Sequence, residues 1–359
     1  MKFIFKLTSI IYKLTHFIHK HFFYCIIASY VAGGLFPGFG LSIRDTHFGT
    51  FTFIDGSKVK VSLALIMLSI LLFNAGLGVL KSELANLFKH PKLLVVGLIA
   101  NLSIPILFTF LISITMVIWH NPDEVQNILV GLALIASMPI AASSTAWVQK
   151  TNGSLALSLG LVIFSTMLSP ITTPLGLHSI GFITSGDYSE KLHMLAGEGT
   201  SAFLFISVLL PSLLGITLLF VLKPSAIAKA KEPIGNINLV NLILLNYANA
   251  SVALPQVFTH PDWDFLLIIG LITGSLCGFA FLSGKLLSLF FKASEPEKIS
   301  LMFGLAMNNN GTGLVLASLS LAGHPSVMLP IIFYNLIQHM IAGFVEKRFY
   351  SNGKNITSA

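Results

Sequence analysis

Ten apolar segments run through this chain, each close to the roughly 20 residues that a helix needs to cross about 30 Å of hydrocarbon. They lie at about 22–42, 60–80, 92–119, 126–149, 153–177, 199–222, 236–258, 264–291, 297–322 and 325–346. Hydrophobic residues make up 54% of the 359 residues and charged residues only 10%, which excludes a soluble domain. We therefore predict an all-α integral membrane protein that lies in a lipid bilayer.

The distribution of Lys and Arg predicts the orientation of these spans. With the N-terminus inside, 17 of the 21 Lys and Arg fall on the inner side. The four on the outer side are Arg44, Lys58, Lys60 and Lys191. This bias favours ten spans with both termini cytoplasmic. The net charge of +7 comes from these scattered loop residues, so we predict no nucleic-acid partner.

Two of the apolar segments carry residues that interrupt a helix. One contains Gly304–Ala317, GLAMNNNGTGLVLA, in which three asparagines stand between glycines. The other contains Ser137–Gln149, SMPIAASSTAWVQ, in which Pro139 removes a backbone donor. Irregular backbone is tolerated in a membrane only inside protein or beside a wet cavity. We therefore predict that the fourth and ninth helices are broken, with the two breaks in contact near the bilayer midplane.

The breaks fall at matching places in two halves of the chain. Five spans precede the loop at 178–198 and five follow it, so the halves must have opposite orientation. We predict two inverted five-helix repeats. The predicted regions are an amphipathic interfacial helix at 1–21, repeats at 22–177 and 199–349 joined by the connecting loop 178–198, and a polar tail at 350–359.

Neutral oxygens are the predicted ligands inside the membrane. All 14 Asp and Glu fall in loops or at span ends, so no carboxylate relay crosses the core. Amide, hydroxyl and carbonyl oxygens suit a monovalent cation or the polar part of an organic solute. The candidates are Asn74, Asn101, Ser143, Ser144, Thr145, Ser158, Thr166, Asn246, Asn249, Asn308, Asn309, Asn310 and Thr312. The alternative for each is a hydrogen bond that only joins helices.

No pattern in the sequence indicates an enzyme. The chain has no HExxH and no GxSxG motif, and its two cysteines, Cys25 and Cys277, suit neither a disulfide framework nor a metal site. Intramembrane hydrolysis would need Ser143 or Ser144 beside His339, a pairing that nothing else in the sequence requires. We predict no cofactor.

Five stretches together resemble the bile acid:sodium symporter family. They are GGLFPGFGL (33–41), the segment from LFNAGLG to GLIAN (72–101), the segment from GLALIASMPIAASS to SPITTP (131–174), VLLPSLLG (208–215) and GLAMNNNGTGLVLA (304–317). The resemblance implies the same ten spans with a broken, crossing fourth and ninth helix. It also implies a bacterial-type member that moves an organic anion, with sodium as a candidate coupling ion.

The resemblance assigns residues only in part. Ser144 and Thr145 take the places of a family Ser-Asn pair, Ser158 matches a family Ser, and Asn101 stands for a Gln. The implied sodium ligands are Ser144, Thr145, Ser158, Asn101, Asn308 and Met307. Gly304 stands where the family has the Glu that serves both sodium sites, which argues against two ions per cycle.

These patterns predict a secondary transporter of a small organic anion in a bacterial inner membrane. The positive ends of the broken-helix N-termini would favour the carboxylate. The predicted substrate-binding residues are Asn308, Asn309, Asn310, Thr312, Ser143 and Asn249. The alternative from another class is a membrane-embedded sensor or scaffold that binds a solute without moving it.

Overall fold

The computed structural model describes residues 17–18, 21–52, 56, 58–87, 89, 91–197, 199–321 and 323–356. Apart from residues 17, 18 and 21, the amphipathic helix predicted at 1–21 therefore lies outside the described residues. The described helices are α1 (Phe22–Leu35), α2 (Pro37–Asp45), α3 (Leu63–Leu77), α4 (Lys81–Leu84), α5 (Pro91–Thr115), α6 (Pro122–Ser137), α7 (Ser143–Lys150), α8 (Leu155–Gly181), α9 (Gly186–Gly197), α10 (Thr200–Leu204), α11 (Leu210–Val221), α12 (Pro224–Thr259), α13 (Trp263–Phe290), α14 (Glu295–Ala306), α15 (Asn310–Ser320) and α16 (Met328–Ile356). A π-helical turn, Phe205–Leu209, joins α10 to α11, and single 3-10 turns at Met116–Ile118 and Pro325–Val327 adjoin α5 and α16.

Six helices in the described part of the chain are long and apolar enough to cross a bilayer. They are Pro91–Ile118, Leu155–Gly181, Thr200–Val221, Pro233–Thr259, Trp263–Phe290 and Pro325–Lys347. Each falls within a predicted apolar segment or extends it by a few residues. The prediction of an all-α integral membrane protein is confirmed at this level.

The other four predicted segments are bent, short or broken. The segment at 22–42 turns by 90° between Tyr24–Leu35 and Pro37–Asp45. Pro37 occupies the first turn of α2, where its missing N–H costs least, and this favours a new helix start. The segment at 60–80 contains only the 15-residue helix α3. The remaining two are the interrupted segments described below.

A short antiparallel hairpin corrects the purely helical prediction. Strands β1 (His47–Thr52) and β2 (Lys58–Ser62) pair from His47 with Ser62 to Thr52 with Lys58. Alternating Lys and Val in β2 fit the period of two of a strand, so the first residues of the segment predicted at 60–80 are strand instead. The side chain of Ser62 then caps α3 by accepting the N–H of Leu65.

Helices extend into two regions that were predicted as connections and into the predicted polar tail. The stretch before the segment predicted at 236–258 belongs to α12, which begins at Pro224 and not at 236. Proline is well tolerated at the first helical position, and alanines follow it. The connecting loop 178–198 contains the end of α8 and the whole of α9. The polar tail from 350 is helical as far as Ile356.

Helix α9 is joined to the start of the last span by charged groups. The Lys191 ammonium lies 2.6 Å from the Asp187 carboxylate, and His324 Nε2 lies 3.2 Å from the same carboxylate. The hydrogen bond from Lys191 is the main cause that holds the pKa of Asp187 below its usual value.

The chain divides into two compact units. The first unit comprises the described residues within 1–52, 58–78 and 206–261, and the second comprises those within 53–57, 79–205 and 262–359. Each unit takes helices from both predicted repeats, so the repeats are not the compact units.

Close contacts between helix backbones characterise the first unit. A Cβ on Gly76 of α3 would lie 2.1 Å from the carbonyl oxygen of Ser212, and one on Gly215 of α11 would lie 2.2 Å from that of Phe73. Only glycine permits these approaches. Asn74 donates to Asn238 over 2.9 Å within this unit. For Asn74, the helix-joining alternative is therefore the one that the structure supports.

Helix α6 lies at the centre of the second unit. Its residues Leu132, Ala133, Leu134 and Ile135 are completely buried. The helices α5, α8, α13, α15 and α16 all contact α6. The interrupted segments both belong to this unit, and α6 leads directly into the first of them.

Candidate functional site

The two interrupted segments are breaks between consecutive helices. Helix α6 ends at Ser137 and α7 begins at Ser143, so residues 138–142 form the first break. Helix α14 ends at Ala306 and α15 begins at Asn310, so residues 307–309 form the second break. Pro139 cannot donate a backbone hydrogen bond, and Asn309 adopts a non-helical conformation as the N-cap of α15.

The two breaks are joined to each other by main-chain hydrogen bonds. Ala141 N–H donates to the carbonyl oxygen of Met307 over 2.8 Å, and Asn309 N–H donates to that of Pro139 over 2.8 Å. Ile140 and Asn308 form an antiparallel bridge between them. Each break thus satisfies backbone groups that the other exposes. The predicted contact between the two segments is present.

Asn308 fixes the second break to two further helices. Its Nδ2 donates to the carbonyl oxygen of Ile135 in α6 over 2.9 Å. Its main-chain N–H donates to Oε1 of Gln338 in α16 over 3.2 Å. The Asn308 Oδ1 atom is buried and has no hydrogen-bond partner among the described residues. Asn308 therefore joins the second break to α6 and α16, and its Oδ1 remains available to accept a hydrogen bond.

Gln338 was not among the predicted site residues. Its signal in the sequence was a lone amide in an apolar segment, which is also typical of a packing residue. In the structure Gln338 is buried, and its Nε2 donates to Oδ1 of Asn335 over 3.3 Å. The side chain therefore links α16 to the second break through the backbone of Asn308.

The N-terminus of α15 carries the remaining polar residues of the triplet. The Asn309 side chain is half-buried and accepts the N–H of Thr312 over 3.3 Å as an N-cap. Asn310 and Thr312 are buried, and neither the Asn310 amide nor the Thr312 hydroxyl has a side-chain partner among the described residues. Unpaired buried polar atoms are costly, so they indicate a ligand or bound water at this end of the helix.

The N-terminus of α7 directly follows the first break and carries three hydroxyls. Ser143 is exposed, whereas Ser144 is buried with no partner for its Oγ among the described residues. Thr145 Oγ1 accepts a hydrogen bond from Ser158 Oγ in α8 over 3.1 Å. Backbone dipoles make both this N-terminus and that of α15 locally positive.

Two of the predicted sodium ligands are in direct contact. Thr145 and Ser158 are in contact, and the Met307 carbonyl already accepts the N–H of Ala141. Asn101 lies in α5 and lines a separate small cavity, which none of the other five predicted ligands lines. Of the predicted substrate residues, Asn249 lies in α12 of the first unit, where it is buried with an unpartnered Nδ2. The other five belong to the second unit.

Apolar side chains lie beside Gly304, where the family resemblance predicts a Glu. A Cβ on Gly304 would lie 3.0 Å from Leu161 Cδ1 and 4.0 Å from Ile140 Cδ1. Leu161 and Ile140 belong to a buried cluster with Leu157 and Leu301. Among the described residues, no three His, Cys, Asp or Glu side chains lie close enough to hold a metal ion.

The sequence of the chain matches a known protein family and several known proteins. The Sodium Bile acid symporter family matches residues 65–259, more than half of the chain. The chain is 26% identical over 95% of its length to an uncharacterized sodium-dependent transporter, YocS, of Bacillus subtilis (strain 168), of which 95% is covered. It is 24% identical over 79% of its length to sodium/bile acid cotransporter 7 of Xenopus tropicalis, of which 81% is covered.

A third relative covers a smaller part of the chain. The uncharacterized protein YbaS of Bacillus subtilis (strain 168) is 28% identical over 61% of the chain and 69% of that relative. The family match and the relatives named as transporters confirm the prediction of a secondary transporter and not an enzyme.

Proposed function

Because the chain belongs to the Sodium Bile acid symporter family, we propose that the solute it carries by alternating access is a small organic anion. The observation that carries this proposal is the N-terminus of α15 beside the first break. Asn310 and Thr312 are buried there with polar side-chain atoms that have no partner among the described residues. Amide and hydroxyl donors beside a positive helix end suit a carboxylate.

The charge distribution of the chain supports an anion. No Asp or Glu lies between Glu124 and Asp187 or between Glu297 and Glu346, so no like charge lies near the breaks in sequence. Asn308, Asn309, Asn310, Thr312 and Ser143 are the proposed binding residues in the second unit. Asn249 belongs to the first unit, and solute binding by this residue is a separate proposal.

The proposed topology is ten spans in two inverted five-helix repeats, with both termini cytoplasmic. The Lys and Arg distribution supports this orientation. On this scheme the bent pair α1–α2 and the short helix α3 each count as one span, and so does each broken helix. A bacterial inner membrane is the proposed location, and two of the relatives reported above are bacterial.

Sodium is the proposed coupling ion, with at most one ion in each cycle. Two relatives carry sodium in their names. Two sodium ions close together would repel each other without an anion between them. Gly304 supplies no carboxylate, and the adjoining space is filled by Leu161 and Ile140. A solute carboxylate could supply the missing negative charge, which would tie solute binding to cation binding.

Counterflow in proteoliposomes tests this function. Vesicles loaded with an unlabelled organic anion should accumulate the same labelled anion in external sodium, and less of it or none in external choline. A neutral amide of the same solute should not be accumulated, because the helix N-termini favour the charged form. Binding of an anion without any counterflow would instead indicate the sensor or scaffold.

A further inference from the structure

We propose that His178 and His193 together bind one divalent transition-metal ion of the zinc, nickel or copper class. His178 lies in the last turn of α8 and His193 lies in α9, and both helices belong to the second unit. The ion would join the two helices through one nitrogen of each ring. This inference concerns neither the solute nor the coupling ion, so it stands apart from the proposed function.

The two imidazole rings meet nitrogen to nitrogen. His193 Nδ1 lies 2.7 Å from His178 Nδ1, and the ring centroids are 4.4 Å apart. Two nitrogens that bind one tetrahedral zinc ion at ordinary bond lengths lie about 3.3 Å apart. A separation of the rings by less than about 1 Å would therefore bring both nitrogens to ligand distance. The ion would take the place of the proton in this hydrogen bond.

Imidazole nitrogen determines which ions this pair can bind. A hydrogen bond between two Nδ1 atoms requires one of them to accept, so at least one ring carries no proton at that nitrogen. Neutral imidazole is a ligand for zinc, copper and nickel, whereas magnesium and calcium prefer oxygen ligands. The pair therefore suits a transition metal and not the sodium ion proposed for coupling.

Neighbouring groups hold both rings in this arrangement. The Phe182 ring centroid lies 4.9 Å from that of His178 and 4.9 Å from that of His193, with the rings in edge-on contact. A Cβ on Gly181 would lie 2.7 Å from Cε1 of His193, so that ring lies directly against the backbone of α8. Ligands that are already fixed lose less side-chain entropy when an ion binds.

Water would complete the coordination of the ion. Among the described residues, no group of three or more His, Cys, Asp or Glu side chains could hold a metal ion, so the protein supplies two ligands here. His178 is exposed and His193 is half-buried, which leaves the remaining coordination positions open. We therefore expect reversible binding that is weaker than at a closed structural zinc site with four protein ligands.

The ion would strengthen the attachment of α9 to the second unit. The Asp187 carboxylate of α9 is already paired with Lys191 and His324, so it is not the partner of the two histidines. Just before α9, the Ser185 N–H donates to Oε1 of Gln126 in α6 over 3.0 Å. A metal bridge would add a link between α9 and the end of α8. Because this site exists only in the folded protein, the ion should raise the unfolding temperature.

Metal-dependent stability of the full chain, without a polyhistidine tag, tests the site without transport. The unfolding temperature is measured in detergent after chelator treatment, during titration with zinc chloride or nickel chloride, and with magnesium chloride as the reference. We expect stabilisation by zinc and nickel and none by magnesium. His178→Asn and His193→Asn keep a hydrogen-bonding side chain and should each raise the midpoint zinc concentration about tenfold or more. His120→Asn is the matched control, because His120 is an exposed histidine that pairs with Asp264 instead.

A variant with a different metal ligand keeps the test valid if the asparagine variants do not fold. His178→Cys replaces imidazole by a thiolate, which also binds zinc, and should therefore retain stabilisation by zinc. Loss of zinc stabilisation in this variant would contradict the site. Unchanged zinc stabilisation in both asparagine variants would place the ion at other histidines, and no zinc effect in the wild type would leave the pair as a hydrogen bond between helices. Each of these results overturns the inference, whereas counterflow decides the proposed function separately.

Discussion

The main-chain N–H of Asn309 donates to the carbonyl oxygen of Pro139 over 2.8 Å, although the two residues are far apart in the sequence. Both residues belong to the breaks, where the regular helical hydrogen bonds are missing. The N–H of Asn309 and the carbonyl of Pro139 therefore satisfy each other in place of water. This bond places the N-terminus of α15 beside the end of α6. The candidate anion site therefore adjoins the first break.

Asn309→Ala is expected to abolish transport while membrane insertion is unchanged. The substitution removes the cap of Thr312 N–H and the amide groups available to a solute. Loss of an N-cap alone costs about 0.5–2 kcal/mol. Uptake in proteoliposomes and the yield of folded protein in detergent are the measurements.

Asn309→Ser separates these two roles of the side chain. Serine caps a helix about as well as asparagine does but lacks the amide. If Asn309 binds solute, the serine variant should fold normally and transport poorly. Normal uptake by Asn309→Ser would show that Asn309 acts only as the N-cap of α15.

Sodium dependence of uptake is expected to follow a Hill coefficient of no more than about one. Gly304 lacks the carboxylate that would stand between two cations, and leucine side chains fill its surroundings. Uptake is measured against sodium concentration in vesicles of defined membrane potential. A coefficient clearly above one, with two charges moved beyond the anion's own, would contradict this prediction.

Gln338→Met should destabilise the second break. The variant keeps the length of the side chain but removes the acceptor of the Asn308 N–H. An unpaired buried donor costs about 1–3 kcal/mol. We expect a lower unfolding temperature and reduced uptake. Ser318→Ala is the control, because that hydroxyl donates only to Val315 of its own helix. Equal stability of both variants would show that Gln338 does not stabilise the second break.

Gly76→Ala and Gly215→Ala should each destabilise the first unit. An added Cβ would lie 2.1 or 2.2 Å from a backbone oxygen, which cannot rotate away as a side chain can. Overpacking of this kind costs about 1–3 kcal/mol, and both unfolding temperature and folded yield should fall.

A helical glycine with open surroundings provides the control for this pair. A Cβ on Gly274 would meet no atom within 4 Å outside the backbone of its own helix. Gly274→Ala should therefore be neutral or slightly stabilising. A loss of stability equal to that of Gly76→Ala would show that the close approach to a backbone oxygen does not determine the result.

The breaks could be predicted from sequence because their causes are local. A proline and a run of asparagines disrupt an apolar helix wherever it lies, and buried backbone groups then require partners. The partners of the side chains could not be predicted in the same way. Gln338 contacts Asn308 across 30 residues, and a solitary amide in a span carries no sign of its partner. The position of Asn101 in the wall of a small cavity likewise depends on packing.

Local signals also explain where the helical prediction failed. The hairpin at 47–62 carries alternating Lys and Val, but it is too short to stand out beside apolar runs of 20 residues. The 90° bend between α1 and α2 involves Pro37, and α1 packs closely on α12: a Cβ on Gly33 would lie 2.7 Å from the Ala250 Cβ. A hydropathy window averages over such a bend. The helical start of α12 at Pro224 was hidden because its polar residues resemble those of a loop.

The two main-chain hydrogen bonds that join the breaks use only backbone amide and carbonyl groups. A substitution at Ile140 or Asn308 therefore changes the side chains at the breaks without removing either of these two hydrogen bonds. Side chains at the breaks can thus be exchanged while both backbone hydrogen bonds are kept. Substrate range can drift in such a transporter while its central architecture stays intact.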